Sequence, residues 1–318
     1  MEQKLRSEAK SLLEQGKVDY IIGFEPGSLK FTTTPLITND RGDTSRLVIT
    51  PFIVNNLSVY LTEVKGRVGI VVKGCDSRSI VSLLQDNKIA REDIVILGIP
   101  CHGLIDLSKV EQLVDKDRDE IDDISRDGDR VMVTVGGNKK EFPISETLFD
   151  NCLGCELPTP QEYDILLGEP TSPASDEGRV ASQEEINRLK DTTPEQRWEF
   201  WSNEFDRCIR CYACRNICPA CFCERCFVEE TEPPWVLPVP RWQDNLVFQV
   251  MRNIHVAGRC TDCGECERAC PVNIPLRRLS REMYDIVDEL FHYKAGMDKD
   301  ASPFLAAYEA TDTGDFIR

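Results

Sequence analysis

Hydrophobic positions in the first half of the chain fall in short runs, at residues 19–24, 47–54, 68–73 and 94–99. Each run is too short for a buried helix and predicts a β-strand. Between the last two, Ile80, Val81, Leu83 and Leu84 mark one face of a helix over residues 76–87, with Asp76 or Ser77 as its N-cap. Strand, helix and strand together predict a βαβ unit and hence a local parallel pair. Further on, residues 131–135 and 140–144 flank Gly136-Gly137-Asn138, which predicts a hairpin.

After about residue 180 the texture becomes helical, with helices predicted over residues 183–205 and 242–255. An amphipathic helix follows over residues 275–291, opened by a proline that suits a first helical turn. The intervening GEPTSPASDEGRVAS, residues 168–182, is rich in Pro, Ser, Gly and acid and reads as a linker. The expected architecture is an α/β N-terminal domain over residues 1–167, followed by a mainly α-helical domain over residues 183–298. A C-terminal tail over residues 299–318 would order only if something docks it. At 318 residues the chain is long enough for two such domains, each with its own core.

Charge narrows the function. With 55 acidic and 38 basic side chains the formal charge is −17, which disfavours a groove that tracks a phosphate backbone, so no nucleic-acid partner is expected. No apolar run approaches the ~20 residues of a membrane span. The opening MEQKLRSEAK lacks the apolar stretch of a secretory signal, so a cytoplasmic location is expected. A reducing cytosol does not support many disulfides, so the fifteen cysteines point to metal binding or redox chemistry.

Eleven of these cysteines lie between Cys208 and Cys270. Cys208, Cys211, Cys214 and Cys218 form C-x2-C-x2-C-x3-C-P, and Cys260, Cys263, Cys266 and Cys270 repeat that spacing without deviation. Three thiolates two residues apart wrap one face of an iron–sulfur cube, and the fourth is thrown across to the neighbouring cube. Cys208, Cys211, Cys214 and Cys270 are therefore predicted to hold one [4Fe-4S] cluster, and Cys260, Cys263, Cys266 and Cys218 the other. Zinc takes four thiolates too, but its usual pair of C-x2-C motifs leaves the third cysteine and the C-P step of each repeat unexplained.

The region from about residue 197 to 291 resembles the two-cluster helical ferredoxin module of heterodisulfide reductase small subunits. It departs from that module in Cys221, Cys223 and Cys226 of CPACFCERC. These three read as alternative cluster ligands, as ligands of a further metal site, or as inert thiols.

Upstream, Cys75 and Cys101 follow two strands of one βαβ unit, at the carboxyl ends where open α/β sheets collect ligands. Cys152 and Cys155 complete a set of four thiolates, for which a third [4Fe-4S] cluster is the economical reading. Inert buried thiols are the alternative. KGCDSRSI, GIPCHG and NCLGCELPTPQEYDILLG resemble the N-terminal region of the coenzyme F420 hydrogenase/dehydrogenase beta-subunit family. That resemblance implies a [4Fe-4S] cluster on the equivalent cysteines, beside a flavin. FAD is thus a second cofactor it implies, although the region is short and the chain contains no G-x-G-x-x-G.

His102 and His255 are candidate cluster ligands, against a plainer packing role beside the clusters. Arg210, Arg215, Arg259 and Arg268 interleave with the cysteines, either favouring the reduced clusters or forming a solvated, partner-docking collar. Trp198, Trp201, Trp235 and Trp242 are expected to pack the small core of the helical domain, and the acidic run 115–123 to be a solvated face. The function expected is an iron–sulfur electron-transfer subunit of a multi-subunit anaerobic oxidoreductase, rather than a self-sufficient enzyme. Its partners would be a hydrogenase, a formate or aldehyde dehydrogenase, or a flavin- or heterodisulfide-reductase-like subunit. The rival readings are an FAD-dependent oxidoreductase subunit that reduces F420, ferredoxin or a similar acceptor, and an iron–sulfur redox sensor or assembly protein.

Overall fold

The computed structural model describes residues 1–304. The N-terminal half opens with helix α1 (Glu2–Glu14), strands β1 (Tyr20–Pro26), β2 (Thr33–Thr38) and β3 (Val68–Val72), helix α2 (Gly74–Gln85) and strand β4 (Ile94–Gly98). Helix α3 (Leu107–Val114) follows, then strands β5 (Ile121–Asp127), β6 (Arg130–Val135) and β7 (Asn138–Pro143), the short helices α4 (Ile144–Thr147) and α5 (Asp150–Leu153), and strand β8 (Ile165–Leu166). The main sheet has the order β2-β1-β3-β4-β8. Its strands run parallel except for β2, which is antiparallel to β1. β3 is buried at every position because helices cover both of its faces.

Residues 47–54 do not form a strand. Val48 donates one backbone hydrogen bond to the Phe24 carbonyl, and the segment then turns at Pro51 with Leu47 and Ile53 buried against the sheet. Proline cannot donate to a ladder, and only edge strands tolerate it. The same rule accommodates Pro35 in the edge strand β2.

β5, β6 and β7 form a separate antiparallel sheet with its own core around Val110, Ile121, Val131 and Val133. The predicted hairpin is β6–β7. It turns on Gly136 and Gly137, whose φ values of 55° and 77° suit a two-residue turn that L side chains enter poorly. The third strand, β5, takes in the end of the acidic run.

The C-terminal half contains α6 (Asp176–Lys190), α7 (Pro194–Asp206), α8 (Ala213–Asn216), α9 (Trp242–His255), α10 (Glu265–Arg268) and α11 (Leu276–Phe291). The helix predicted from residue 183 is thus two helices. Thr193 caps α7 in a reciprocal box with Gln196, and Pro194 at its first position ends any continuation from α6. The linker is shorter than predicted, because Ser175 caps α6 and Ser182 is buried, where it accepts a hydrogen bond from Arg277. Of the predicted tail, residues 299–304 pack back onto the protein, with Phe304 against Phe291 and Tyr293, and residues 305–318 lie outside the described residues.

The halves are joined by a polar interface. Buried Arg78 on α2 donates to the Ala295 carbonyl through Nε (3.0 Å) and Nη2 (2.8 Å) and reaches the Tyr284 hydroxyl at 3.2 Å. Ser79 Oγ and Thr261 Oγ1 are 3.0 Å apart, and Arg259 makes a bidentate pair with Asp86 at 2.8 and 2.9 Å. Among the described residues no helix is long and apolar enough to cross a membrane.

Candidate metal centres

The upstream thiols meet at the carboxyl edge of the main sheet. Cys75 lies in the first turn of α2, directly after β3, and Cys101 lies just past β4. Cys152 lies within α5, and Cys155 just after it. A loop returning to β8 closes the edge, and the Cys101 N–H donates to the Pro158 carbonyl at 2.9 Å. Gly74 makes this closure feasible, because a Cβ there would stand 1.7 Å from the Leu157 carbonyl oxygen.

Burial pushes the Cys101 thiol up to about 12, helped by the neighbouring Cys152 and Cys155 charges. It pushes Cys155 up to about 11, helped by Cys152. Burial and the Asp76 charge raise the Cys75 thiol too, with Cys263 and Cys101 also among its charged neighbours. The four thiols therefore share one electrostatic site. Backbone N–H groups of Gly103, Leu104 and Leu157 donate to the sulfurs of Cys101, Cys152 and Cys155. Such donors favour the thiolate, the form in which sulfur ligates metal, so these residues fit a thiolate-bound inorganic group.

Sequence reasoning missed Lys73, one turn away. Its buried ammonium contacts Asp76 Oδ2 at 2.8 Å and the Asn55 carbonyl at 2.8 Å, and it lies 4.7 Å from the centre of the Phe24 ring. Burial pulls its pKa down, but Asp76 and the Cys75 and Cys101 thiolates more than offset this, so it stays charged. The α2 N-terminus is the place where a doubly wound sheet would cradle dinucleotide phosphates. Here the Asp76 carboxylate already accepts the Lys73 N–H at 3.0 Å, and Leu157 covers Gly74. That turn does not fit a flavin dinucleotide.

The twin motifs fold as twin loops. Arg210 and Tyr212 in the first have φ values of 52° and 60°, and Asp262 and Gly264, at the equivalent positions of the second, have 54° and 77°. Each loop then enters a single helical turn, α8 or α10, and these two turns pack together. Cys208, Cys211, Cys214 and Cys270 line one small cavity with Tyr212, Phe248 and Gln249. Gln249 Nε2 donates to the sulfurs of Cys208 at 3.7 Å and Cys214 at 4.0 Å, and the Ile274 N–H donates to Cys270 Sγ at 3.4 Å.

In the second set, burial is the main cause raising Cys260 (to about 12), Cys263 and Cys266, and Cys218 is among the charged neighbours of all three. Cys218 thus sits with the second loop and Cys270 with the first. Backbone N–H groups of Arg210, Asp262 and Glu265 donate to Cys208, Cys260 and Cys263, the same two-residue offset recurring in both loops. These N–H donors and buried thiols fit thiolate-bound clusters.

The second loop also borders the upstream site. Asn151, beside Cys152, donates to the Asp262 carbonyl at 3.3 Å and the Cys263 carbonyl at 3.2 Å. Cys263 thereby lies between the upstream thiols and Cys218.

α9 supplies what the cysteine spacing could not reveal. Asn245, Gln249, Arg252 and Asn253 are all buried on its inward face. A buried helical stripe that is polar rather than apolar was the available signal. Asn245 Nδ2 donates to the carbonyls of Phe205 and Cys208 at 2.9 and 2.8 Å, fixing the first loop. Arg252 donates through Nη2 to the Cys214 carbonyl at 2.9 Å, while its Nε and Nη1 have no protein partner.

The cluster-flanking arginines are not a solvated collar. Arg210 is buried with both terminal nitrogens unpartnered, Arg268 binds Glu265 and the Cys263 carbonyl, and Arg215 reaches Glu229 at 2.9 Å. Of the tryptophans, Trp201 stacks on Phe205 at 5.3 Å in the core, whereas Trp198 and Trp235 are exposed. His255 stands edge-on to Phe227, and the His102 carbonyl accepts from Arg126.

Fold and thiol sets define an iron–sulfur protein of the dicluster-ferredoxin class, with an α/β domain attached. The chain joins a coenzyme F420 hydrogenase/dehydrogenase beta-subunit domain to a 4Fe-4S dicluster domain. Residues 65–219 match the model of the former's C terminus and residues 204–274 that of the latter. The upstream resemblance is thus to the C-terminal part of the beta-subunit family, not its N-terminal region, and it runs on into the first cysteine loop.

The F420-dependent formate dehydrogenase subunit beta of Methanocaldococcus jannaschii is 26% identical over 93% of this chain and 92% of its own length. The F420-dependent formate dehydrogenase 1 subunit beta of Methanococcus maripaludis is 24% identical over 93% of this chain and 91% of its own. Among solved structures, a chain of the xenon-derivatised F420-reducing [NiFe] hydrogenase complex from Methanosarcina barkeri aligns with 59% of this chain and 76% of its own. Its identity is 15% and its TM-score 0.41.

Proposed function

We propose that this chain is the iron–sulfur electron-transfer subunit of a multi-subunit anaerobic oxidoreductase. It passes single electrons between a formate-dehydrogenase-type catalytic subunit and a redox partner that carries out the two-electron chemistry. The observation that carries this reading is the contiguity of the thiols. Cys75 neighbours Cys263, Cys263 neighbours Cys218, and Cys214 neighbours both Cys266 and Cys208. Similarity to two formate dehydrogenase beta subunits over more than nine-tenths of the chain supports the partner class.

Cys75, Cys101, Cys152 and Cys155 hold one [4Fe-4S] cluster, Cys208, Cys211, Cys214 and Cys270 a second, and Cys260, Cys263, Cys266 and Cys218 a third. When bound, each cluster supplies one-electron redox chemistry. The protein's own groups polarise the sites. Lys73 sets a buried positive charge beside the upstream thiols, Gln249 and the backbone N–H groups donate to sulfur, and Arg252 stands between the two dicluster sets. Positive charge and N–H donors at the sulfurs favour the reduced, more negative state. Fifteen free thiols suit the cytoplasm, where disulfides do not persist.

Anaerobic affinity purification of the tagged chain from its host tests the reading. A catalytic oxidoreductase subunit of the formate-dehydrogenase type is expected to co-purify in stoichiometric amount. Recovery of the chain with transcription or assembly factors alone would contradict it.

A further inference from the structure

The three cysteines outside the twin motifs share one place. Cys221, Cys223 and Cys226 line, together with Cys218, a cavity of about 630 Å³ between α8, α9 and the loop after the first motif. Cys223 is exposed and the other two are half-buried, so they are not inert core thiols. Cys226 is a charged neighbour of Cys221, Cys223 lies near Arg259, and Cys226 accepts a hydrogen bond from Arg215.

Arg215, Arg252 and Arg259 line the cavity together with Glu63, Glu224 and Glu229. Arg215 pairs with Glu229 and Arg259 with Asp86, which leaves Arg252 as the lining arginine with no carboxylate partner among the described residues. Arg252 is only 3% exposed and its Nε and Nη1 have no protein hydrogen-bond partner. Cys266 is its foremost charged neighbour, followed by Cys218 and Cys221, so its charge is shared between the second dicluster set and this cavity. A buried guanidinium with free N–H groups is costly unless negative charge meets it. We propose that Cys221, Cys223 and Cys226 ligate a fourth iron–sulfur cluster, of the [4Fe-4S] type, in this cavity.

Among the described residues no three Cys, His, Asp or Glu side chains, these included, are gathered tightly enough for a single metal ion. A cubane asks for a wider set. Cys218 sits with Cys260, Cys263 and Cys266, so the fourth iron takes a non-cysteine ligand. His255 lines the same wall. The arrangement places the fourth cluster next to the second dicluster set, because Cys218 and Cys221 are neighbours.

The test is iron, sulfide and zinc analysis of the anaerobically purified full chain, with EPR of the reduced protein. Wild type is expected to hold about sixteen irons, four for each set of cluster-forming cysteines. The Cys221→Ser/Cys223→Ser/Cys226→Ser variant should lose about four irons and as many sulfides, with the signals of the other clusters retained. Equal iron in wild type and variant overturns the proposal, as does loss of one zinc without sulfide or of an organic ligand. Should the triple variant fail to fold, Cys223→Ser, at an exposed position, is read instead. Loss of up to four irons or a shift in one EPR component supports the site, and an unchanged spectrum and iron content overturns it. An iron content of about twelve in both chains leaves the three-cluster reading standing and removes only the fourth.

Discussion

Replacing Cys263 by serine is expected to lower electron transfer through the subunit by about 100-fold or more, since even groups that only support metal ligands cost 10–100-fold when removed. Its thiol is the one that neighbours both Cys75 and Cys218, so its loss interrupts the thiol sets where the two halves of the chain meet. The loop itself should hold. Asn151 and Arg268 grip it through the Cys263 carbonyl, which the substitution leaves in place, and Asp262 keeps its bidentate pair with Arg277 at 2.7 and 2.8 Å. In the assembled complex, oxidation of substrate by the catalytic subunit with an artificial dye should persist while reduction of the physiological acceptor disappears. Full acceptor reduction in a variant lacking the second dicluster EPR signal would contradict the proposed route.

Lys73→Met is expected to destabilise the N-terminal domain by about 3–5 kcal/mol, the usual cost of stranding one partner of a buried ion pair. Lys73 is 1% and Asp76 0% exposed, so solvent cannot take over the carboxylate's charge. Methionine matches the lysine stem in volume and retains packing on Phe24, which isolates the electrostatic loss from a cavity effect. The check is the unfolding midpoint of the variant against that of Lys73→Met/Asp76→Asn. The second change removes the stranded charge and should recover a large part of the loss. Equal midpoints for wild type and Lys73→Met would show that the pair contributes nothing.

The parts of the fold legible in the sequence are those whose periodicity comes from burial alone. β3, α2 and β4 carry continuous or one-faced apolar runs because both faces of the sheet are covered. β5 was hidden by its composition, IDDISRD, in which only Ile121 and Ile124 point inward. Their spacing of three departs from strand alternation because the register shifts between Ile121 and Asp123, and the bulge restores the inward face. Residues 47–54 mislead in the opposite direction, with apolar side chains that cover the sheet without joining it.

At the site, cysteine spacing reveals which thiols belong to each motif, since spacing is itself the geometric requirement. It is silent on Lys73, Asn245, Gln249 and Arg252, whose roles come from tertiary placement. Lys73 reaches Asn55, and Arg252 on α9 reaches the Cys214 carbonyl.

The central claim is that the upstream thiols and the twin motifs hold one contiguous group of iron–sulfur centres. Iron and sulfide analysis of the anaerobically purified Cys101→Ser/Cys152→Ser chain beside wild type tests it most directly. The account predicts loss of about four irons and four sulfides per chain, with the dicluster EPR signals intact. Iron content equal to that of wild type would contradict it.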